Sequence, residues 1–502
     1  MKKLLKSAPK TKRSDTYQKS GEDKILKNNS RGSPFPVSLD EESTNTVVKK
    51  ANILSLEQQR VLDSSAAIKQ VIAAAGSGKT RTVIQLAVQV LNEFQSETHH
   101  LNSGEHPEQF FGTKRNPLLL LTFSRKAARE MLERIPEEYQ KQIQIHTFHG
   151  FCFQLIRQWY PGGEEMQVVD EEEKIRILKP LFYRYRYTVG GIPIGLLLSN
   201  PRRFRQEFPR VAFRIHRYWN QYKERNQLLE YSDLIRIVLG GLRKARIAGN
   251  WAAGIPGSYQ TIIVDEFQDT DPAQVEFLQR MSASEMVVVG DDWQAIYSFR
   301  GADVKPFLNF TDHFGGVEKH FLSVNYRSVP DIVNAGNRLI KASPGQIKKQ
   351  VRAHRREREK SVLSLSLETG QEADVVALMQ SCSRDWTILC RSNYRRRIWL
   401  EAGLSEDSCI TIHRSKGLEF SVVILDVLGG WSGAAEDSDS EEVRIAYVAL
   451  TRARDLFVAL HRKDYGTREG DSYVWNRLFS RQCRKTSYQE LQRRVKKVPT
   501  GK

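Results

Sequence analysis

With 502 residues the chain is too long for one core, because domains usually run to roughly 100–200 residues, and two to four units are expected. A hydrophobic share of 40%, no apolar run near the roughly 20 residues that span a bilayer, and a start of Met1-Lys2-Lys3-Leu4-Leu5-Lys6 with no apolar stretch behind it argue against a membrane span or a secretory leader. Seventy-seven Lys and Arg against 59 Asp and Glu leave +18, which puts nucleic acid first among partners, while five scattered cysteines (Cys152, Cys382, Cys390, Cys409, Cys483) exclude a disulfide scaffold or Cys-rich zinc module and fit a reducing compartment, the cytoplasm.

Residues 1–50 read as a disordered basic tail, with 12 basic and 6 acidic groups and no apolar periodicity. From about Asn52 the pattern changes. Val71 to Ala75 is a short apolar run ending in glycines, followed by a helix-compatible stretch from Val83 to Leu91. Leu118 to Phe123, Ile262 to Val264 and Met286 to Val289 are similar runs, each bounded by turn or charged residues, as buried strands are. Strands alternating with helices imply a parallel sheet covered on both faces. Between Cys152 and Asn250 such runs stop, and an aromatic, Arg-rich helical segment takes their place. They resume at Thr387–Cys390, Cys409–Ile412 and Ser421–Leu425, which suggests a second α/β unit. The expected division is a first unit at 51–150 and 251–318, a helical insertion at 151–250, a second unit at 319–480, and basic tails at 1–50 and 481–502. The stretch Ala434 to Ser440 reads as an acidic loop.

Ala73-Ala74-Ala75-Gly76-Ser77-Gly78-Lys79-Thr80 lies between a strand and a helix. Small residues let backbone N–H groups close around phosphate oxygens, and the helix N-terminus adds partial positive charge. Lys79 is expected to reach the β/γ-phosphates of ATP and Thr80 to ligate Mg²⁺, although Ala73 stands where the usual pattern has its first glycine. Asp265 and Glu266 follow the strand Ile262–Val264, where one carboxylate can hold Mg²⁺ and its neighbour can orient the attacking water; Asp265 takes the metal role and Glu266 the water role.

The motif series resembles superfamily 1 DNA helicases of the UvrD/Rep/PcrA type, over about Leu54 to Asp455. Leu54-Ser55-Leu56-Glu57-Gln58 resembles the motif whose Gln reads adenine, here Gln58. Leu121 to Met131 and Ile145 to Gly150 resemble the DNA-contacting motifs of the first motor domain, and Val289 to Ala302 the motif that couples ATP to DNA. Leu322 to Ser328, Thr411 to Phe420 and Tyr447 to Arg454 resemble those of the second motor domain. The resemblance implies two RecA-like P-loop motor domains with parallel sheets and a helical insertion in the first. It implies nucleotide contacts from Gln58, Ala75, Gly76, Ser77, Gly78, Lys79, Thr80, Tyr326 and Glu419, a γ-phosphate sensor in Gln294, and arginines Arg327 and Arg452 reaching across a cleft. Arginine suits that role because its planar fork binds phosphate oxygens and offsets transition-state charge.

A single DNA strand needs aromatic platforms and cations. Phe123 and Phe299 are read as base-stacking, Thr122, Thr147, His149 and His413 as strand contacts, and Phe148 as either a strand contact or core. The arginines between Arg202 and Arg225, together with Lys223, read as the rim of a DNA channel or as the solvated face of a helix pair. Residues 341–360 carry 8 basic against 2 acidic groups, and 461–502 carry 12 against 4, read as further phosphate track and a flexible tail. Arg391 and Thr411 are only 20 residues apart, so the accessory domain that larger relatives insert there is missing and a protein partner could replace it. The expected activity is ATP-driven 3′-to-5′ movement on single-stranded DNA and at single-strand/duplex junctions, with strand separation. The alternatives are an ATP-dependent DNA-binding switch without processive unwinding, and an RNA motor.

Overall fold

The computed structural model describes residues 54–102, 116–189, 201–248, 259–281, 283–298, 301–357, 359–429, 438–462 and 479–496. The expected N-terminal tail, Phe299 and most of the acidic loop lie outside them. Helix α1 (Leu56–Asp63) leads into strand β1 (Ile68–Ala73) and helix α2 (Lys79–Asn102), then β2 (Asn116–Thr122), α3 (Arg125–Arg134), β3 (Ile143–Thr147) and α4 (Phe148–Trp159). An inserted segment follows, made of β4 (Gln167–Val168), α5 (Glu171–Val189), α6 (Pro201–Glu207), α7 (Pro209–Arg225) and β5 (Leu228–Leu229). Helix α8 (Tyr231–Ala248) returns the chain to β6 (Tyr259–Val264), α9 (Pro272–Arg280), β7 (Ala283–Gly290) and β8 (Val317–Leu322). The first lobe is a six-stranded sheet in the order β3-β2-β6-β7-β1-β8, every pair parallel. Leu118 to Leu121 are wholly buried, as a strand covered on both faces requires.

The second lobe begins with β9 (Val324–Asn325), α10 (Pro330–Ile340), β10 (Arg352–Ala353), β11 (Val362–Leu367), α11 (Glu372–Gln380) and β12 (Trp386–Cys390). It continues with α12 (Asn393–Glu401), β13 (Cys409–Thr411), β14 (Phe420–Asp426), α13 (Ser438–Leu450), β15 (Ala453–Arg462), β16 (Arg484–Lys485) and α14 (Tyr488–Lys496). Its sheet, in the order β13-β12-β14-β15-β11-β16, is also parallel throughout. Two parallel α/β lobes match the RecA-like architecture that the resemblance implied. Between β12 and β13 the chain makes only α12 and short turns.

Three expected boundaries move. The division at 318/319 cuts through β8, which pairs with β1, so the hand-over to the second lobe follows Leu322. The insertion is smaller than 151–250: α4 and α8 pack Phe151, Leu155, Leu234 and Val238 into the first-lobe core, and Phe148 is buried there too. The insertion's own core is Val169, Leu178, Phe182, Phe204, Val211, Ile215 and Trp219. The C-terminal segment is no loose tail as far as residue 496, because β16 pairs with β11 and α14 buries Leu491 and Val495 completely in the second-lobe core. A further apolar cluster crosses the seam, joining Ala74, Ala75, Trp293 and Ile296 of the first lobe to Val329, Ile332 and Tyr447 of the second.

Candidate functional site

Parallel pairing of β1, β6 and β7 sets their carboxyl ends side by side, the usual place for a ligand in such a sheet. The loops there carry Ala75 to Lys79, Asp265 with Glu266, and Asp291 to Gln294. Gly76 (φ +67°) and Gly78 (φ +80°) take the left-handed backbone that glycine adopts freely. A Cβ on Gly76 would lie 2.7 Å from Arg327 Cβ, and one on Gly78 would lie 2.6 Å from Gln58 Nε2. The second lobe therefore abuts the phosphate loop. The Tyr326 N–H donates to Gly76 O at 2.8 Å and Asn325 Nδ2 to Ala75 O at 2.8 Å. Lys79 and Thr80 open α2, whose N-terminus faces the loop. Gln58 donates to Ser77 O at 3.2 Å, and its carbonyl accepts from the Ser55 N–H at 3.0 Å as part of the α1 capping box.

The two carboxylates after β6 differ. Burial, reinforced by the neighbouring Glu266, pushes Asp265 up to about 7. Burial would raise Glu266 as well, but the charges of Lys79 and Lys416 outweigh it and hold Glu266 at about 2. Glu266 sits at φ +54°, a left-handed backbone that a branched or bulky residue resists. Its carboxylate accepts from Gln268 Nε2 at 2.5 Å. Asp265 Oδ1 is buried without a hydrogen-bond partner among the described residues. With the Thr80 hydroxyl at the start of α2, this offers the few hard oxygen donors that suit Mg²⁺, which keeps most of its shell as water and substrate phosphate. No cage of three or more His, Cys, Asp or Glu occurs among the described residues.

Arg327 and Arg452 both reach this site. Arg452, 1% exposed, donates to Val448 O, Leu418 O and Gln294 Oε1, each at 3.0 Å, and to Thr451 Oγ1 at 3.3 Å. None of these partners is a carboxylate, and burial beside Arg327 pulls its guanidinium down to about 9. A buried cation held by neutral oxygens alone is poised for an anion. Arg327 pairs with Glu419 at 2.6 Å and donates to Thr451 O at 3.2 Å. Tyr326 is 37% exposed, with its ring 4.8 Å from that of His354. Gln294 donates to Asp291 Oδ2 at 2.5 Å while its carbonyl accepts from Arg452, so one amide joins the two lobes.

The expected strand contacts divide. Phe123 stacks on Tyr297, with centroids 4.9 Å apart and planes 18° from parallel. Tyr297 donates to His413 O at 3.3 Å and lies under the Lys416 ammonium at 4.9 Å. Lys416 also bonds Asp269, donates to Gln294 O at 2.9 Å and lies 3.9 Å from Glu266, so the aromatic pair sits one side chain from the Glu266 carboxylate. Thr122 is wholly buried at the end of β2, which takes its hydroxyl away from any bound strand. The Thr147 hydroxyl caps α4 by accepting from the Gly150 N–H at 3.0 Å. The His149 ring packs edge-on to Tyr231 at 5.5 Å, and burial lowers its pKa. On α7, Arg210, Arg214, Arg217 and Arg225 are exposed, as is Phe213. Lys223 is not on that rim: it is buried, 2.5 Å from Asp233 and 2.8 Å from Glu230.

Lys416, Asp291 and Asn325 lay within motifs already quoted, and Asp269 three residues past Glu266, yet none was given a role. Lys349 had no signal at all. It belongs to the basic stretch 341–360, but its side chain is 2% exposed and bonds Asp291 and Asp292. Four described cysteines are buried, and none forms a disulfide. No helix among the described residues is long and apolar enough to cross a membrane.

The family model described as the UvrD/REP helicase N-terminal domain matches residues 54–189 and 198–315, more than half of the chain, and that of the UvrD-like helicase C-terminal domain matches 404–463. The chain is 28% identical over 483 aligned residues to DNA helicase IV of Escherichia coli, covering 78% of this chain and 66% of that protein. It is 26% identical over 312 residues to the ATP-dependent DNA helicase PcrA of Staphylococcus aureus, covering 58% of this chain and 40% of PcrA. The chain thus spans two thirds or less of the curated relatives it matches. With the phosphate loop, the carboxylate pair and both arginines assembled at one seam, and with these matches in the same order along the chain, the protein belongs to the UvrD/REP helicase family.

Proposed function

We propose that the chain is an ATP-dependent DNA helicase or translocase that moves 3′-to-5′ on single-stranded DNA and works in the cytoplasm. The observation that carries this reading is the junction of Gln294 with Arg452 at 3.0 Å, beside a phosphate loop that touches Arg327. Lys79 and the N–H groups of Ala75 to Gly78 bind the phosphates, Gln58 and Tyr326 hold the base, and Glu419 contacts the nucleotide once Arg327 turns to the phosphate. Thr80 and Asp265 hold Mg²⁺, which when bound shields phosphate charge. Glu266, ionised throughout the neutral range, orients the attacking water. Arg327 and Arg452 close on the γ-phosphate from the second lobe and Gln294 senses its loss. Phe123 supplies a base platform with Phe299, while Thr147, His149 and His413 border the strand; the exposed arginines of α7 extend the cationic path.

The same motor could instead act as a DNA-dependent switch. The short link through α12 between β12 and β13 favours this second reading, since it leaves duplex contacts to a protein partner. DNA-stimulated ATP hydrolysis, measured beside strand displacement on 3′- and 5′-tailed substrates, decides between them. Displacement from 3′ tails supports the helicase, stimulated hydrolysis without displacement supports the switch, and absence of stimulation by DNA defeats both. Lys79→Ala and Glu266→Gln should abolish turnover, the second while sparing nucleotide binding; near-normal turnover in either refutes the site assignment.

A further inference from the structure

Residues 341–357 form a strap that leaves α10 in the second lobe and crosses to the first lobe before β11 begins. Its middle is pinned to the loop after β7. The Ile347 N–H donates to Asp292 Oδ2 at 2.8 Å, and Trp293 Nε1 donates to Ile347 O at 3.3 Å. Two residues on, the Lys349 ammonium is fully engaged: Asp291 Oδ1 at 2.6 Å, Asp292 Oδ1 at 2.8 Å and Ala73 O at 3.2 Å, with the Trp293 ring 4.6 Å away. Ala73 is the last residue of β1, where the phosphate loop starts. Both aspartates are wholly buried.

We propose that Lys349 is a positioning residue for the terminal phosphate of the nucleotide, acting through Asp291 on Gln294 and through Ala73 on the phosphate loop. This rests on the nucleotide-site reading above. The reasoning turns on the direction of one amide. A glutamine side chain has a donor end and an acceptor end. Because Asp291 takes the donor end of Gln294, the acceptor end faces Arg452. A proton on Asp291 would remove that instruction, and a flipped amide would point N–H groups at a guanidinium.

Two adjacent buried carboxylates without a cation cannot stay ionised. The charged and titratable groups facing them are Lys349 from the strap, Lys79 from α2, and Arg444, Tyr447 and Arg452 from the second lobe. Without Lys349 the pair has one cation, Arg444, besides the two that the phosphate needs, so it must lean on Arg444, take up a proton, or draw in Lys79 or Arg452. Lys349 therefore keeps both cations available and ties the strap to the phosphate loop.

The test compares Lys349→Met, Lys349→Arg and the double variant Lys349→Met/Asp292→Asn with the unaltered chain. Folding is checked by thermal melting, nucleotide affinity with a fluorescent ATP analogue, and DNA-stimulated kcat and KM between about pH 6 and 9, a window that brackets neutral titrations. In Lys349→Met, kcat should fall about tenfold or more with a smaller change in KM, as for an interaction used in the transition state. Its ratio to the unaltered chain should fall as pH falls, because without the ammonium Asp291 takes up a proton more readily and loses its hold on the Gln294 amide. The double variant, which removes one negative charge along with the positive one, should recover part of the loss. Lys349→Arg keeps the charge and covers the case in which the methionine variant does not fold; its misplaced head should lower kcat with no change in that ratio across pH. Folded variants with unaltered kcat, or a Lys349→Met deficit that is flat in pH and unrelieved by Asp292→Asn, would overturn the proposal. If the unaltered chain shows no DNA-stimulated hydrolysis, the proposed function fails first, and that result is distinct.

Discussion

The contact between Gln294 and Arg452 makes a quantitative prediction. Arg452 is held by three oxygens at 3.0 Å and one at 3.3 Å, and Gln294 supplies one of them. A hydrogen bond to a charged group contributes about 1.5–3 kcal/mol net. If that contact serves to aim the arginine, Gln294→Ala should slow turnover about 10- to 150-fold, at about 1.4 kcal/mol per factor of ten. Arg452→Lys should cost more, about 10³-fold or beyond, because a single ammonium cannot span Leu418 O, Gln294 and a phosphate together. The two losses should not multiply. With the Arg452 guanidinium already gone, Gln294 has little left to aim, so the double variant should fall within about threefold of Arg452→Lys alone, an interaction energy of about 1–3 kcal/mol. Steady-state ATP hydrolysis with saturating DNA on the four proteins provides the cycle. Multiplicative losses would show that Gln294 and Arg452 act independently and would refute the argument.

Leu491→Ala should destabilise the chain by about 2–5 kcal/mol, the usual cost of emptying a fully buried leucine site, read as a lower urea midpoint; a neutral result would return α14 to the status of a tail. Phe123→Ala should weaken single-strand binding by about 1–3 kcal/mol in a fluorescence anisotropy titration, the worth of one base–aromatic stack; unchanged affinity would remove Phe123 from the platform. Where the insertion meets α8, burial opposes ionisation of Glu230 and Asp233, but their bonds to Lys174 and Lys223 hold both below the usual carboxylate range. Depressed folded-state values mean that their stabilisation is present above the unfolded pKa of about 4 and disappears as pH falls through the folded values. Urea midpoints should therefore drop on acidification below about pH 4, more steeply in the unaltered chain than in Lys223→Met, and equal slopes would refute the assignment.

The strands and the phosphate loop were legible because their signals are local. Leu118 to Leu121 can be nothing but a strand between two covered faces, and Gly76 with Gly78 marks a loop whose backbone must turn left-handed. Arg327 and Arg452 were legible only through motif order, since nothing in an arginine's immediate neighbours says that it will cross a cleft. Charge was the poorest guide. Lys349 and Lys223 looked like track, yet each neutralises a pair of carboxylates supplied by a distant or neighbouring segment, and composition cannot distinguish a solvated cation from a paired one. The stretch after residue 480 misled for the same reason. Its basic residues dominate the count, while Leu491 and Val495, four apart on one helix face, decide where it packs. Thr147 was read as a strand contact, and its hydroxyl also caps α4, the role a threonine before a helix commonly takes.

The apolar residues shared across the seam have a thermal consequence. Any swing that parts Trp293 from Tyr447, now edge to face at 5.5 Å, wets oily surface on both lobes. Such wetting carries a positive heat capacity and becomes easier in the cold. The seam is thus a contact that slackens on cooling. Its opening rate should curve on an Arrhenius plot even where bond making and breaking at the phosphate does not.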